Sequence, residues 1–443
     1  MTAKASSLEG AGRTTDSRDS KARNGFLEKA IVVFIILATS NAWIYPEPGI
    51  SPLISRSPWF SLINAASYLF TFVVFFKNWQ SIIFYLRKEK FIILLVILAC
   101  LSTQWSPNAS LSLQLLRNVI RLTLLGSYLA VRYSLKEQLQ LLAWAMAIAV
   151  LVSLPLCMLL PNHGFHHALD GCRGIYNHKN HLGRITLIST VLFFVFAFKS
   201  EGAKAFRWIL FGISFALLVL SNSKTSLLGF FVTLIAFPLQ KSLQQRYKFR
   251  TLFLVSLTLS IIITISLVAI NLVIALESIG KDPTFSARLP LWGILIDKVK
   301  EQPLLGYGFQ GFWSSQRKMV SLLLVSEGYT WRAGHAHSGF IETALSLGLV
   351  GLSLFSLSLF SGIFRSLQLL RDSSTLESLW TAQFLVCFLL VNATIESTIL
   401  APNLLWMLYV SIAISLARNR RIALERIASH RALTEHSNAS FNR

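Results

Sequence analysis

Long apolar blocks, separated by short polar segments, dominate the pattern of the chain. A block of roughly 20 residues is long enough to cross a bilayer as an α-helix. Helices are favoured there because a backbone surrounded by lipid must satisfy its own hydrogen bonds. The pattern therefore predicts an all-α polytopic membrane protein with about twelve transmembrane helices. The predicted spans are residues 27–45, 59–76, 91–104, 111–131, 138–160, 182–198, 208–221, 225–240, 251–276, 337–363, 378–397 and 402–417.

Basic side chains cluster in alternate connecting loops, and this fixes the predicted orientation. Cytoplasmic loops of membrane proteins carry an excess of Lys and Arg, so we expect these loops and both termini to be cytoplasmic. Residues 26–417 form the predicted bundle, residues 1–25 a disordered basic tail, and residues 418–443 a second basic tail. The basic residues of this loop set are Lys77, Arg87, Lys88, Lys90, Arg132, Lys136, Lys199, Lys204, Arg207, Lys241, Arg246, Lys248, Arg250, Arg365 and Arg371.

The opposite set contains two long loops, residues 161–181 and 277–336, which this orientation places outside the cytoplasm. In the second loop Leu289, Trp292, Ile296 and Val299 recur at helical spacing with charged residues between them. This is the pattern of an amphipathic helix at an interface, and Pro303 ends it. The loop therefore predicts a folded subdomain that caps the outer face of the bundle.

Composition supports the membrane assignment and argues against nucleic acid as a partner. The chain is 53% hydrophobic and 14% charged, whereas about 25% of residues are charged in soluble domains. Its net charge of +21 is divided among short clusters between apolar blocks, which is typical of orientation signals. Of the four cysteines, Cys172 alone lies in a loop and the others lie in apolar blocks, so no disulfide framework is expected.

The unusual polar residues collect on the predicted outer face. The first long loop reads PNHGFHHALDGCRGIYNHKNH, and a short turn at residues 221–225 reads SNSKT. The second loop contains SARLPLW at residues 286–292 and PLLGYGFQGFW at residues 303–313. It leads into the tenth predicted span as HAHSGFIETALSLGLVG at residues 335–351.

These segments resemble the O-antigen ligase and Wzy-type polymerase superfamily, especially its exopolysaccharide polymerase branch. Arg288 precedes Trp292, a Pro-Leu-Leu-Gly-x-Gly segment follows, and His337 precedes Gly-Leu-x-Gly at residues 348–351. Ser338 stands where the family usually has Asn, and Lys224 stands where the ligase branch has Arg. Both departures point away from a typical O-antigen ligase.

The resemblance implies a GT-C-like membrane glycosyltransferase that uses neither a metal nor another cofactor. Such enzymes pass a glycan from undecaprenyl diphosphate to the hydroxyl of a glycan acceptor, on the outer face of the bacterial inner membrane. The leaving diphosphate needs cations, and the acceptor hydroxyl needs a base such as His, whose ordinary pKa is about 6.5. By resemblance His337 is the expected base, with Arg288 and Lys224 as diphosphate clamps. A chain-length regulator and a flippase are further partners that such a polymerase implies.

Other residues are weaker candidates for holding the lipid-linked donor. Arg117 and Arg121 lie four apart on one face of the fourth span, where charges are costly and so mark function by default. The alternative is that they pair with Glu342 or Glu396 near the ends of other spans. We expect His335 to support His337. Lys179, Asn180 and Arg184 form a Lys-Asn-x-x-Gly-Arg segment that is similar to one in the polymerase branch.

Two further patterns carry less weight. Residues 306–311 read GYGFQG, but no predicted strand precedes this segment, so tight turning explains its glycines better than dinucleotide binding. The histidines of the first long loop, with Cys172, do not match the spacing of a standard zinc site, so no metal is expected.

The predicted function is polymerisation or ligation of lipid-linked repeat units of a bacterial surface polysaccharide or exopolysaccharide. One alternative is a transporter of a small anion, which predicts central charges in corresponding halves and broken helices. Only the fourth predicted span carries central charges. A non-catalytic partner in polysaccharide assembly is the other alternative, and it would tolerate loss of His337.

Overall fold

The computed structural model describes residues 25–42, 58–166, 171–199, 202, 204–243, 288–326, 334–373 and 375–419. Almost all regular structure in these ranges is α-helical, as the apolar pattern predicts. The helices are α1 (residues 25–39), α2 (Pro58–Leu86), α3 (Lys90–Leu101), α4 (Ala109–Arg132), α5 (Leu135–Leu159), α6 (Pro161–Gly164), α7 (Lys179–Lys199), α8 (Lys204–Leu220), α9 (Lys224–Leu243), α10 (Arg288–Glu301), α11 (Phe312–Ser326), α12 (Gly339–Asp372), α13 (Leu376–Leu390) and α14 (Leu404–Asn419).

By length and composition, five helices in the described ranges are long and apolar enough to cross a membrane. Every predicted span that falls on described residues coincides with a helix, whereas the span predicted at 251–276 lies outside them. The count of about twelve spans and the GT-C-like arrangement therefore stay predictions. The long apolar segments are Ala65–Leu86, Leu135–Leu159, Lys179–Phe198, Gly339–Asp372 and Leu376–Ile395, with shorter ones at Lys90–Gln104, Lys224–Pro238 and Leu404–Asn419.

Charged contacts mark one end of the bundle. The Glu28 carboxylate on α1 accepts hydrogen bonds from Arg132 Nε at 2.9 Å, Tyr128 Oη at 2.6 Å and Tyr133 Oη at 2.9 Å. Arg418 of α14 donates to the Ala130 carbonyl beside them. With 24 residues, α4 runs about 36 Å from this end to its other end, long enough to cross a bilayer.

The tenth predicted span is two helices joined at a break. The 34 residues of α12 would extend about 50 Å as one straight helix, well beyond a bilayer core of about 30 Å. Gly348 interrupts them with a φ of 65°, in the left-handed region that glycine adopts without steric cost. The first half, before Gly348, therefore belongs to the layer at the end of the bundle and not to a continuous span.

The Pro-Leu-Leu-Gly-x-Gly segment docks into this break. The Leu349 amide donates to the Pro303 carbonyl at 2.7 Å, and the Tyr307 amide donates to the Leu345 carbonyl at 2.8 Å. A Cβ on Gly306 would lie 2.5 Å from that same carbonyl, so glycine is required for the approach. The backbone groups freed at the break are thus satisfied by the loop, as irregular backbone at this depth requires.

The first long loop is held by a short hairpin and a disulfide. Strands β1 (Phe165–His166) and β2 (Gly171–Cys172) pair antiparallel. Cys172 forms a disulfide with Cys157 of α5, over a Cα–Cα distance of 5.9 Å. The expectation of no disulfide was wrong, because a cysteine inside an apolar block lies at the helix end onto which this loop folds back.

Candidate functional site

A cleft of about 1200 Å³ opens at the end of the bundle opposite the Glu28 contacts. Helix α11 forms one wall, the start of α4 forms another, and the segment between α13 and α14 forms the floor. Phe309, just after the docked segment, fixes the α4 side of the cleft. Its amide donates a hydrogen bond to Ser102 Oγ at 2.9 Å, and its carbonyl accepts one from Ser112 Oγ at 2.6 Å. His335, Glu342 and Glu396 all reach the lining.

Ala336, between the two histidines, is held from both sides. Trp292 of α10 donates through Nε1 to the Ala336 carbonyl at 2.9 Å. Glu342 of α12 accepts the Ala336 amide at 2.9 Å and Trp313 Nε1 of α11 at 2.8 Å. Trp292 therefore positions residues 335–337, called here the histidine loop. Glu342 links this loop to α11.

Glu396 lies at the centre of the charged groups. The end of α13 widens into a single π-helical turn, Val391–Ile395, and Glu396 follows it. Its Oε2 lies 3.3 Å from Arg184 Nη1 of α7, and its Oε1 lies 3.3 Å from His335 Nδ1. The Arg184 side chain is only 8% exposed, so this carboxylate neutralises an otherwise buried charge.

Asn392 ties the same π-turn to the start of α12. Its carbonyl accepts from Ser338 Oγ at 3.2 Å, and its Oδ1 accepts from the Thr398 amide at 2.8 Å. A Cβ on Gly339 would lie 2.2 Å from this Oδ1. Ser338, which departs from the family's usual Asn, thus anchors the histidine loop to the segment that carries Glu396.

His337 stands behind His335 and away from the cleft lining. The ring centroids of the two histidines are 3.9 Å apart, and His337 has a φ of 52°, which is uncommon for a residue with a side chain. Both lie before α12 begins. Burial lowers the pKa of His337 to about 3, with a further lowering from His335 and Arg288 against a raising by Glu396. Burial also lowers the pKa of His335. Both imidazoles are therefore neutral at pH 7.

Arg288 begins α10 and is buried against the π-turn. One guanidinium nitrogen donates to the Thr394 carbonyl, two residues before Glu396. Arg288 and Trp292 lie four apart on one helix face, so one face of α10 contacts both the π-turn and the histidine loop. The structure therefore brings Arg288 beside the histidine pair and Glu396, although it does not line the cleft.

The remaining candidates on α7 and α9 lie outside the cleft lining. Lys224 is exposed at the first residue of α9. Lys179 and Asn180 occupy the first turn of α7, the helix that carries Arg184 into the charged cluster. Of the Lys-Asn-x-x-Gly-Arg segment, Arg184 is thus the residue in direct contact with the site.

Arg117 and Arg121 follow the cleft-lining Leu115 along α4. Arg117 is exposed, while Arg121 donates to Ser67 Oγ of α2 at 3.3 Å and lies 4.4 Å from the centre of the Tyr68 ring. The alternative that these arginines pair with Glu342 or Glu396 is wrong, because those carboxylates bind the partners described above.

Three functional candidates escaped the sequence reasoning. Glu396 was considered only as a partner for α4 arginines, although an acidic residue near the end of an apolar block is a signal in itself. Arg317 and Lys318 of α11 line the cleft, although they belong to no motif in the sequence. In the described ranges, no three His, Cys, Asp or Glu side chains come together as a metal-binding group.

The resemblance inferred from the motifs is confirmed by comparison with known proteins. Residues 209–356 match the family model described as O-antigen ligase. The exopolysaccharide production protein ExoQ of Rhizobium meliloti is 34% identical over 154 residues, covering 33% of this chain and 35% of that protein. A Rickettsia felis protein named "Putative polysaccharide ligase" is 24% identical over 199 residues, covering 44% of this chain and 48% of the relative. The chain thus spans between about a third and a half of the length of these relatives.

Proposed function

Because residues 209–356 match the family model described as O-antigen ligase, we propose that this chain is a membrane glycosyltransferase of bacterial polysaccharide assembly. It polymerises or ligates glycan repeat units that are linked to undecaprenyl diphosphate. The observation that supports this most is the cluster of His335, His337, Glu396, Arg184 and Arg288 at an open cleft. It combines candidate bases with cations, the two groups that glycan transfer from a diphosphate requires.

The histidine pair supplies the base for the acceptor hydroxyl. His337 is neutral at physiological pH and stands directly behind His335, which reaches the cleft and is oriented by Glu396. A pKa of about 3, lowered mainly by burial, makes His337 by itself a weak base. An arriving diphosphate would offset the nearby arginine charges and raise that pKa, so donor binding would activate the base.

Cations of the site stabilise the leaving diphosphate. Arg288 is proposed to interact with it in the substrate complex, with Lys224 at the outer start of α9 as a second contact. Arg184 acts through Glu396. Arg117, Arg121, Lys179 and Asn180 stay weaker candidates for holding the lipid-linked donor.

The reaction takes place on the face of the inner membrane away from the cytoplasm. The basic residues Arg132 and Arg418 gather at the opposite end of the bundle from the cleft, in line with positive residues staying inside. The Cys157–Cys172 disulfide supports the same orientation, because disulfides persist in the periplasm and are rare in the cytoplasm.

Separate alanine variants of the two histidines test this proposal. General base catalysis contributes about 10²–10⁴-fold, so His337→Ala should stop polymer formation and let undecaprenyl-linked repeat units accumulate. His335→Ala should also reduce polymer formation, because His335 is the histidine of the pair that reaches the cleft. Polymer length and extracted lipid-linked intermediates are measured together in cells with comparable amounts of each variant.

Normal polymer in His337→Ala cells would show that this histidine is not the base. Normal polymer in both single variants and in the double variant would reject the enzyme and favour a non-catalytic role. His163→Ala, which changes an exposed histidine of the first long loop, is the control and should make normal polymer.

A further inference from the structure

We propose that Arg317 and Lys318 of α11 form an anion-binding subsite in the cleft, which holds an oxyanion of the substrate next to His335. The inference rests on the proposed function and deepens it by assigning a contact to residues outside the family motifs. The oxyanion is either the diphosphate of the lipid-linked donor or a carboxylate of an acidic glycan, and the two sources share the same chemistry.

The charges of Arg317 and Lys318 are available to a ligand. Both side chains are exposed and line the cleft, and neither forms an ion pair with a carboxylate in the part of the chain that the structure describes. The two carboxylates on the same lining already bind other groups: Glu342 accepts from Trp313 and the Ala336 amide, and Glu396 pairs with Arg184 and His335. The cleft therefore presents uncompensated positive charge.

The surroundings of these cations fit an amphiphilic or polyhydroxylated ligand. Towards the start of α11, Gln310 and Ser314 offer an amide and a hydroxyl to sugar hydroxyls. Towards its end, Leu322 and Val325 line the cleft with exposed apolar side chains. From Ser314 to Val325 the helix advances about 16 Å, so polar, charged and apolar contacts follow one another along one wall.

The subsite is close to the candidate chemistry. Arg317 is near enough to His335 to contribute, after burial and the closer charges, to the lowering of the pKa of that imidazole. An oxyanion bound by Arg317 would cancel this contribution and make His335 more basic. The same contact would hold the reacting end of the substrate beside the histidine pair, whereas the apolar part lies further along α11.

Binding to the purified full-length protein in nanodiscs tests the subsite with two pairs of probes. Farnesyl diphosphate is compared with farnesol, and oligogalacturonate with maltohexaose, each by isothermal titration calorimetry. A charge-assisted contact is worth a factor of about ten or more in affinity, so Arg317→Gln and Lys318→Gln should each weaken the preferred anionic probe about tenfold. Neutral probes should be unaffected, and added salt should weaken only the anionic one. Preference for farnesyl diphosphate identifies a lipid diphosphate, and preference for oligogalacturonate identifies an acidic glycan.

Lys300→Gln is the matched control, because Lys300 is an exposed lysine on the neighbouring helix α10 that pairs with Asp297. Three results would each overturn the subsite. In the first, the wild-type protein prefers neither anionic probe, and in the second, the double variant binds like wild type. In the third, Lys300→Gln loses as much affinity as the Arg317 and Lys318 variants. These results leave the proposed function standing if His337→Ala still stops polymer formation. Normal polymer in the double histidine variant would instead reject the proposed function.

Discussion

Replacing Glu396 by Gln removes the carboxylate charge that contacts both Arg184 and His335. The carboxylate lies 3.3 Å from both Arg184 Nη1 and His335 Nδ1, and Arg184 is 8% exposed while Glu396 is 27% exposed. Removing one partner of a buried ion pair costs about 3–5 kcal/mol because the other charge stays buried. The cleft lets some water reach Glu396, so we expect the lower end, about 3 kcal/mol, or a roughly 100-fold loss in the folded-to-unfolded ratio.

The assay is thermal unfolding of the purified protein in nanodiscs, combined with polymer formation in cells. Glu396→Gln should lower the melting temperature clearly and reduce polymer at least tenfold, since His335 loses the group that orients it. The double variant with Arg184→Gln should be less destabilised than the sum of the two single variants, because it contains no unpaired buried charge. Glu301→Gln changes an exposed carboxylate that pairs with Lys298 and should melt like wild type. An unchanged melting temperature in Glu396→Gln, or strict additivity in the double variant, would refute this reasoning.

Three other predictions concern His337, the proposed diphosphate contacts Arg288 and Lys224, and the disulfide. Because burial lowers the pKa of His337 from 6.5 to about 3, the unfolded chain binds more protons below pH 6.5. The free energy of unfolding should therefore fall by about 1.4 kcal/mol per pH unit, or about 2 kcal/mol at pH 5, and His337→Gln should remove this part of the pH dependence of melting. Arg288→Ala should abolish polymer while the protein stays in the membrane, and full activity in this variant would exclude a role of Arg288 in transfer. Lys224→Arg should retain more activity than Lys224→Ala because it keeps the charge. Replacing Cys157 and Cys172 by Ser opens a loop closed over a separation of 15 residues, which should cost about 3 kcal/mol in the chain-entropy model. In wild-type protein Cys157 and Cys172 should resist maleimide until a reductant is added, and their immediate labelling would argue against the disulfide.

Much of the fold follows from the chain's local patterns. Apolar blocks identify the long apolar helices in the described ranges, and the Leu289 to Val299 spacing identifies α10, because helical periodicity and bilayer thickness are local constraints. Helices α6 and α11 were not predicted. The break at Gly348 was not predicted, since its stability depends on carbonyl and amide groups of residues 303–307 that are distant in sequence. The Cys157–Cys172 bond was missed for the same reason.

The sequence predicts which residues belong to the candidate site better than it predicts how they are arranged. Motifs identified His337 and Arg288, and the structure brings both to the Glu396 cluster. No motif indicated that His335, not His337, would reach the cleft, because that depends on a positive φ at His337. Likewise, the exposure of Arg317 and Lys318 to the cleft depends on how the Trp313–Glu342 hydrogen bond holds α11 at the edge of the cleft.

The break in α12 also has a consequence for the order of assembly. Residues 303–307 precede the break in the chain, so they are synthesised before the helix whose backbone they complete. The second half of α12 has a continuous hydrogen-bonded backbone and can enter lipid by itself. The first half, with Glu342, gains its partners only when residues 303–307 and the Ala336 amide dock onto it. The histidine loop between these elements therefore takes its shape only after both have formed, and the site is complete only once the break in α12 is filled.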